Sequence, residues 1–426
     1  ARAAAPPRYE PPVLETVAAG AFTVAGEDNL VIPRGLAIIA WLAGGVAVFV
    51  LLGRVAGFFG AVAGTALWLF APFAVTASRS FQPDPWMVAA IAWFAVAVER
   101  YARRPGLPGA FVCGLVAAVA MVLTPVAVFQ VGAAFVAVAW YGRRQSRRGW
   151  WRHVAVFGLL AVGPVVPYYV VRWLTGPEMG SIFELSWRPE LLVTFGFWRG
   201  WLAQVWKTTG LLAAGMVPVA VAVVARGATR RLLLGLAAGY VAFVMVFIYQ
   251  SFTHDYYHLQ LFPVVTIAVG LVAQRVLDAA AAYHGFGRPA RLLAAAVVVL
   301  ACGDAVLASY DRLRRLDFSN EARTYAEVGR AVGHDRRCLM LSDWYSYPLR
   351  YHGRVAGRAW PQWYDFRLDS ILGRPGRSAD ERLDDMIRTV GARYFIVTDL
   401  EEYRRQDDLR TVLEARYPLI AGDARF

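Results

Sequence analysis

Lysine is all but missing from this chain. Lys207 is the single one among 44 basic residues, so the rest are arginine. With the heavy use of Ala, Gly and Val, this reads as codon bias in a GC-rich genome. Abundant arginine is then no nucleic-acid footprint by itself, and no nucleic-acid partner is expected. Cysteine is equally scarce. The three, Cys113, Cys302 and Cys338, are scattered, which excludes a disulfide scaffold. Charge is thin too, at 18% of residues against 58% hydrophobic. No phosphate-binding glycine loop, internal repeat or low-complexity tract appears.

What is present is a series of long apolar runs. They recur from Gly35 to Leu307 and suit a bilayer better than a water-soluble core. Ten segments emerge, at roughly 35–53, 57–76, 84–99, 107–122, 125–141, 153–174, 208–225, 232–249, 257–274 and 292–309. Residues 311–426 differ, with 21 basic and 19 acidic groups. The expected fold is therefore a polytopic α-helical membrane protein of about ten spans with a C-terminal extracytoplasmic α/β domain. Its parts are a loop segment 1–34, a membrane domain 35–309 and a soluble domain 310–426.

Arginine distribution assigns the sides. The run Arg143, Arg144, Arg147, Arg148, Arg152 marks the cytoplasm. Alternation puts Arg54, Arg100–Arg104, Arg226–Arg231 and the 275–291 loop with it. Those loops sum to 15 basic and 2 acidic groups, against 8 and 10 on the other side. The N-terminal segment and the tail then lie outside the cytoplasm, in an inner (plasma) membrane. An external start needs an earlier span, so a helix and part of a loop are expected upstream of Ala1. In the tail, 324–332, 381–389 and 409–415 suggest helices. Cys338–Leu341 and Tyr394–Val397 suggest buried strands of a parallel sheet.

Polar groups near membrane depth are costly, so the few that occur are informative. The densest cluster is His254, Asp255, Tyr256, Tyr257 and His258, at the junction of two spans. These groups can bind a phosphate and orient a hydroxyl. His254 and His258 are four apart and would share a helical face, a metal-ligand spacing without a third ligand. No metal site is predicted, although a divalent cation is compatible with the spacing. Arg79 and Asp84 flank a short turn before a span. Arg79 could neutralise a phosphate. Asp84 is either functional or an N-cap, with Pro85 at the first helical position. Tyr9 and Glu10 sit in a Pro-rich loop, where Glu10 could act as a base or be simply solvated. The 175–207 loop, with Glu184, four Trp and Lys207, suggests an amphipathic helix on the membrane surface. Gly60 and Gly64 form a small-residue pair that signals helix contact.

In order, the chain reads YEPP, GEDNLVIPRG, RSFQPDPWM and HDYYHLQLFP. That pattern, over most of residues 9–270, resembles bacterial glycosyltransferases related to protein O-mannosyltransferases and to the aminoarabinose transferase of lipid A. The resemblance implies a GT-C fold. It also implies transfer of a sugar from a polyprenyl-phosphate donor to a lipid, glycan or protein acceptor, on the external face among membrane lipids. In such enzymes a carboxylate of the first external loop is the base, which here would precede Ala1. Glu10, Asp84 and Asp255 are the catalytic candidates within the chain. Tyr9, Arg79, His254, Tyr256, Tyr257 and His258 are the substrate-binding ones. The lysine that some relatives carry near the donor phosphate has no counterpart after Glu10, so Arg79 or the 254–258 cluster would substitute. Thr124-Pro125 replaces a second lysine of the relatives. A transporter or flippase would want broken or polar mid-membrane helices and symmetric halves, and the sequence suggests neither. A non-catalytic lipid-glycan binder is the other alternative.

Overall fold

The computed structural model describes residues 10–142, 149–175, 186–282, 287–315, 317–371 and 373–422. The chain forms two compact units, one reaching Arg314 and the other running on from Arg315.

Among the described residues the first unit is built of helices alone. Each expected apolar run overlaps one or two of them: Val31–Val55, Phe58–Phe70 with Pro72–Ala77, Pro83–Arg103, Leu107–Leu123, Ala127–Gly142, Trp150–Val162 with Val166–Thr175, Leu211–Val219, Gly227–Val246, Leu261–Ala282 and Gly287–Arg315. By length and apolarity, however, four helices qualify to cross a bilayer, or up to six if each bent pair is one span. The reason is geometric. A helix of 13 residues such as Phe58–Phe70 rises about 20 Å, short of the roughly 30 Å hydrocarbon core. Two features depart from the sequence reading. The opening segment, expected as a loop, carries the helix Val13–Ala25, closed by Gly26 in the left-handed region at φ 74°. Broken helices do occur: Trp150–Val162 meets Val166–Thr175 at 51°, and Phe195–Thr209 meets Leu211–Val224 at 95°.

Small residues bring the helices together. A Cβ at Gly60 would lie 2.5 Å from the Gly270 carbonyl, and one at Gly64 2.7 Å from that of Thr266. The Gly60/Gly64 pair is thus the contact face against Leu261–Ala282. Trp41 and Trp68 stack at 4.5 Å. Each indole donates to the other's backbone carbonyl, at 3.1 and 2.9 Å. Helix ends that the arginine count assigned to one side do meet. Glu99 pairs with both Arg54 and Arg103, and Arg231 stacks over Tyr141.

The second unit holds a three-stranded parallel sheet, ordered β2-β1-β3. The strands are β1 Cys338–Leu341, β2 Gly357–Ala359 and β3 Tyr394–Val397. Helices Ser319–Ala331, Ala379–Val390 and Asp407–Arg416 overlap the stretches read as helical. β1 is wholly buried, as a central parallel strand requires. Its two faces bury different clusters, one around Tyr325 and Leu349, the other around Trp360 and Leu383.

Register aligns Leu341 with Val397. Beyond it the Thr398 hydroxyl donates to Ser342 at 2.7 Å. The next residues, Asp343 and Asp399, therefore stand side by side. Partial burial raises the Asp343 carboxyl, and Asp399 adds to the rise. A raised folded value means the proton is held more tightly in the folded state. The associated stability is present below the ordinary aspartate value and is lost as pH rises through the raised one. Thermal unfolding of the detergent-solubilised protein should show this loss, no larger than about 1 kcal/mol because solvent screens the pair. Asp399→Asn should lessen it, leaving the part that burial causes. An equally steep profile in that variant would dissociate the effect from this pair.

Candidate functional site

Five separate stretches, around Glu10, Asp84, Thr124, Tyr168 and Tyr256, converge at one end of the helical unit. Glu10 precedes the first helix and is half-buried. Its backbone carbonyl accepts from the Tyr168 hydroxyl at 2.7 Å, and its carboxylate accepts from the Thr124 side chain. Burial raises the Glu10 carboxyl above the ordinary glutamate range. The Thr124 bond opposes that, and the nearby Glu15 charge adds to it.

Asp84 is the second residue of the helix Pro83–Arg103, with 8% exposure. The helix is capped at Gln82 and begins with Pro83, and no side chain forms a capping bond. The N-cap role considered for Asp84 is thus corrected, because the helix starts one residue earlier. The first turn still favours its charge. Glu10 and Asp84 lie within electrostatic reach of each other, and both reach Tyr256 and Tyr257. Those rings lie 4.6 Å apart, with His254 edge-on to both at 5.5 and 5.9 Å. The Tyr169 hydroxyl, also within reach of Glu10, is buried without a hydrogen-bond partner among the described residues.

The two histidines part company. His254 ends the helix Ile248–Thr253 in extended backbone, and Tyr256–Gln260 is a 3-10 turn. They therefore do not share a helical face. Burial lowers His254, partly offset by Asp255. Its Nδ1 lies 2.7 Å from the Thr253 hydroxyl. His258 is fully buried. Its Nε2 lies 2.7 Å from the Ser251 carbonyl and must donate. Its Nδ1, 2.7 Å from Tyr240, then accepts from that hydroxyl, which itself accepts from Trp201 at 3.0 Å. Both nitrogens are used, so His258 has nothing left for a substrate, and its substrate-binding role is corrected to an internal fastening. Among the described residues no group of three His, Cys, Asp or Glu could hold a metal ion.

Asp255 forms an ion pair with Lys207. Lys207 closes the helix Phe195–Thr209, which Thr194 caps by accepting from the Phe197 amide at 3.3 Å. Sequence spacing gave no reason to join these residues, 48 positions apart. The signal that could have found Lys207 is its solitude among arginines. Thr124, Tyr168, Tyr169, Tyr240 and Trp201 were likewise not singled out for the site. Arg79 is exposed in the turn before Asp84, with no ion pair among the described residues. Tyr9 and Glu184 lie outside the described residues.

The fastening can be tested. Replacing His258 by alanine leaves the buried Tyr240 O–H without an acceptor and the Ser251 carbonyl without this donor. A loss of roughly 1–3 kcal/mol is expected. Thermal unfolding in detergent should drop accordingly for His258→Ala and equally for Tyr240→Phe combined with it. Unchanged unfolding in both would exclude the chain of donors.

Residues 9–168 match the family model described as dolichyl-phosphate-mannose-protein mannosyltransferase. Among solved structures, ArnT from Cupriavidus metallidurans bound to undecaprenyl phosphate aligns with a TM-score of 0.64 at 15% identity. The alignment covers 98% of this chain and 86% of that one. The apo state of the same protein aligns with a TM-score of 0.60 at 16% identity, with the same coverage. No curated protein matches by sequence. Glu10, Asp84 and Thr124 all fall inside the matched segment. The resemblance read from the sequence therefore holds: the chain has the GT-C fold of ArnT, and its residues 9–168 match the mannosyltransferase family.

Proposed function

We propose that this chain is an integral membrane glycosyltransferase. It moves a sugar from a polyprenyl-phosphate donor to a hydroxyl of a lipid, glycan or protein acceptor. The reaction takes place at the end of the bundle that holds Glu10 and Asp84, the extracytoplasmic face of a ten-span arrangement in a bacterial inner membrane. One observation carries the reading. Two carboxylates from distant segments lie within electrostatic reach of each other, beside two tyrosine rings in contact at 4.6 Å, in a chain with the GT-C fold. A solved protein of that fold holds undecaprenyl phosphate, which supports a lipid phosphate as leaving group.

The chemistry is displacement at the anomeric carbon. The acceptor oxygen forms a bond to that carbon as the bond to the phosphate oxygen breaks. The acceptor proton passes to a carboxylate, and the lipid phosphate leaves as an anion. A single displacement inverts the anomeric centre. Glu10 suits proton transfer because burial raises its basicity. Arg79 supplies positive charge for the released phosphate, and Lys207, paired with Asp255, supplies a hydrogen-bond donor. Tyr256, Tyr257 and the Tyr169 hydroxyl offer hydrogen bonds to sugar or phosphate. Asp255, neutralised by Lys207, serves to hold that lysine rather than to take a proton.

Glu10→Gln and Asp84→Asn should each lower transfer from a radiolabelled polyprenyl-phosphate sugar by about 10²–10⁴-fold. Wild-type turnover should rise with pH through a value above the ordinary glutamate range, since the base works only when ionised. Folded variants with undiminished turnover would refute the assignment.

A further inference from the structure

A second polar site lies at the far end of the same bundle. Glu99 sits fifteen positions after Asp84 on one continuous helix, about 22 Å along its axis. Its carboxylate is buried and takes two guanidiniums. Arg54 Nη1 donates at 3.4 Å, and Arg103 donates from Nε. Arg103 Nη2 also donates to the Arg54 backbone carbonyl at 3.2 Å. The remaining N–H groups of both arginines have no acceptor among the described residues. The two side chains stay half-exposed, while Glu99 is not. Beside them a cavity of about 300 Å³ opens between four helices, with Thr229 at its polar side and Val138 and Leu232 on its apolar wall. One buried carboxylate under two arginines leaves a net positive charge at the mouth. Apolar wall below and guanidiniums above match an amphiphile with an anionic head. Arg226, Arg230 and Arg231 follow in sequence beside this rim and raise its positive charge.

We propose that Arg54 and Arg103, aligned by Glu99, hold the phosphate of an anionic phospholipid in this cavity. The lipid head completes the donors that Glu99 leaves free. Its acyl chains leave the mouth of the cavity for the bilayer, with only the head and its nearest carbons against the cavity wall. Such a site would tie the Val31–Val55, Pro83–Arg103 and Gly227–Val246 helices at the end opposite the reacting groups.

The test follows thermal unfolding of the full-length protein in detergent, titrated with dimyristoylphosphatidylglycerol, dimyristoylphosphatidylcholine or inorganic phosphate. The glycerol lipid should stabilise the wild type saturably, and the choline lipid should not. In R54Q/R103Q the apparent affinity should fall by about thirtyfold, at one surface-arginine contribution for each residue lost. The triple variant R54Q/E99Q/R103Q leaves no unpaired buried carboxylate, so it reports even where the double variant misfolds. Equal responses to both lipids, or a wild-type response in the triple variant, would overturn the proposal. Inorganic phosphate alone reproducing the full shift would overturn the lipid as the source.

Discussion

The bundle depends on a chain of hydrogen bonds running from Trp201 through Tyr240 and His258 to the Ser251 carbonyl. In an apolar surrounding each of these groups must find a protein partner, because an unpaired one is costly. The chain has one direction, set by an indole that can only donate and a carbonyl that can only accept. It joins the helix Phe195–Thr209, the helix Gly227–Val246 and the turn after Thr253. Once these are fixed, Asp255, Tyr256 and Tyr257 have little freedom, and Lys207 is delivered to Asp255. The arrangement beside Glu10 and Asp84 thus inherits its geometry from residues that need not touch a substrate.

Close backbone approach does the complementary work. Gly60 and Gly64 let the Phe58–Phe70 helix lie against Gly270 and Thr266. The stacked Trp41 and Trp68 fill the other side and satisfy their own N–H groups. Packing by small residues needs no hydrophobic driving force, which is absent between helices in lipid. Glu10 is placed separately, by hydrogen bonds from Tyr168 and Thr124, and Asp84 by the first turn of its own helix.

Much of this was legible in sequence, for identifiable reasons. Long apolar runs mark helices, Cys338–Leu341 was readable as a short apolar run, and Tyr394–Val397 by its aromatic and β-branched content. Glu10 and Asp84 stood out because charge is rare in such surroundings. What sequence could not supply was direction. Two histidines four apart look equivalent, yet a 3-10 turn sends His258 into the core and leaves His254 beside the tyrosines. The Lys207–Asp255 pair and the Asp343–Asp399 neighbours arise from tertiary folding and strand register, which local spacing does not encode. Helix breaks were harder to read because hydropathy measures composition, whereas a 51° bend divides the 153–174 run that composition joins.

Lys207 has a practical side as well. A chain whose other basic groups are guanidiniums presents a single primary amine on a side chain, at the rim of the tyrosine cluster. Amine-directed acylation then marks one position besides the chain's amino terminus. A fluorophore introduced there would sit beside Asp255 at the end of the helix Phe195–Thr209, and its emission would report on the polarity of that rim without any engineered cysteine.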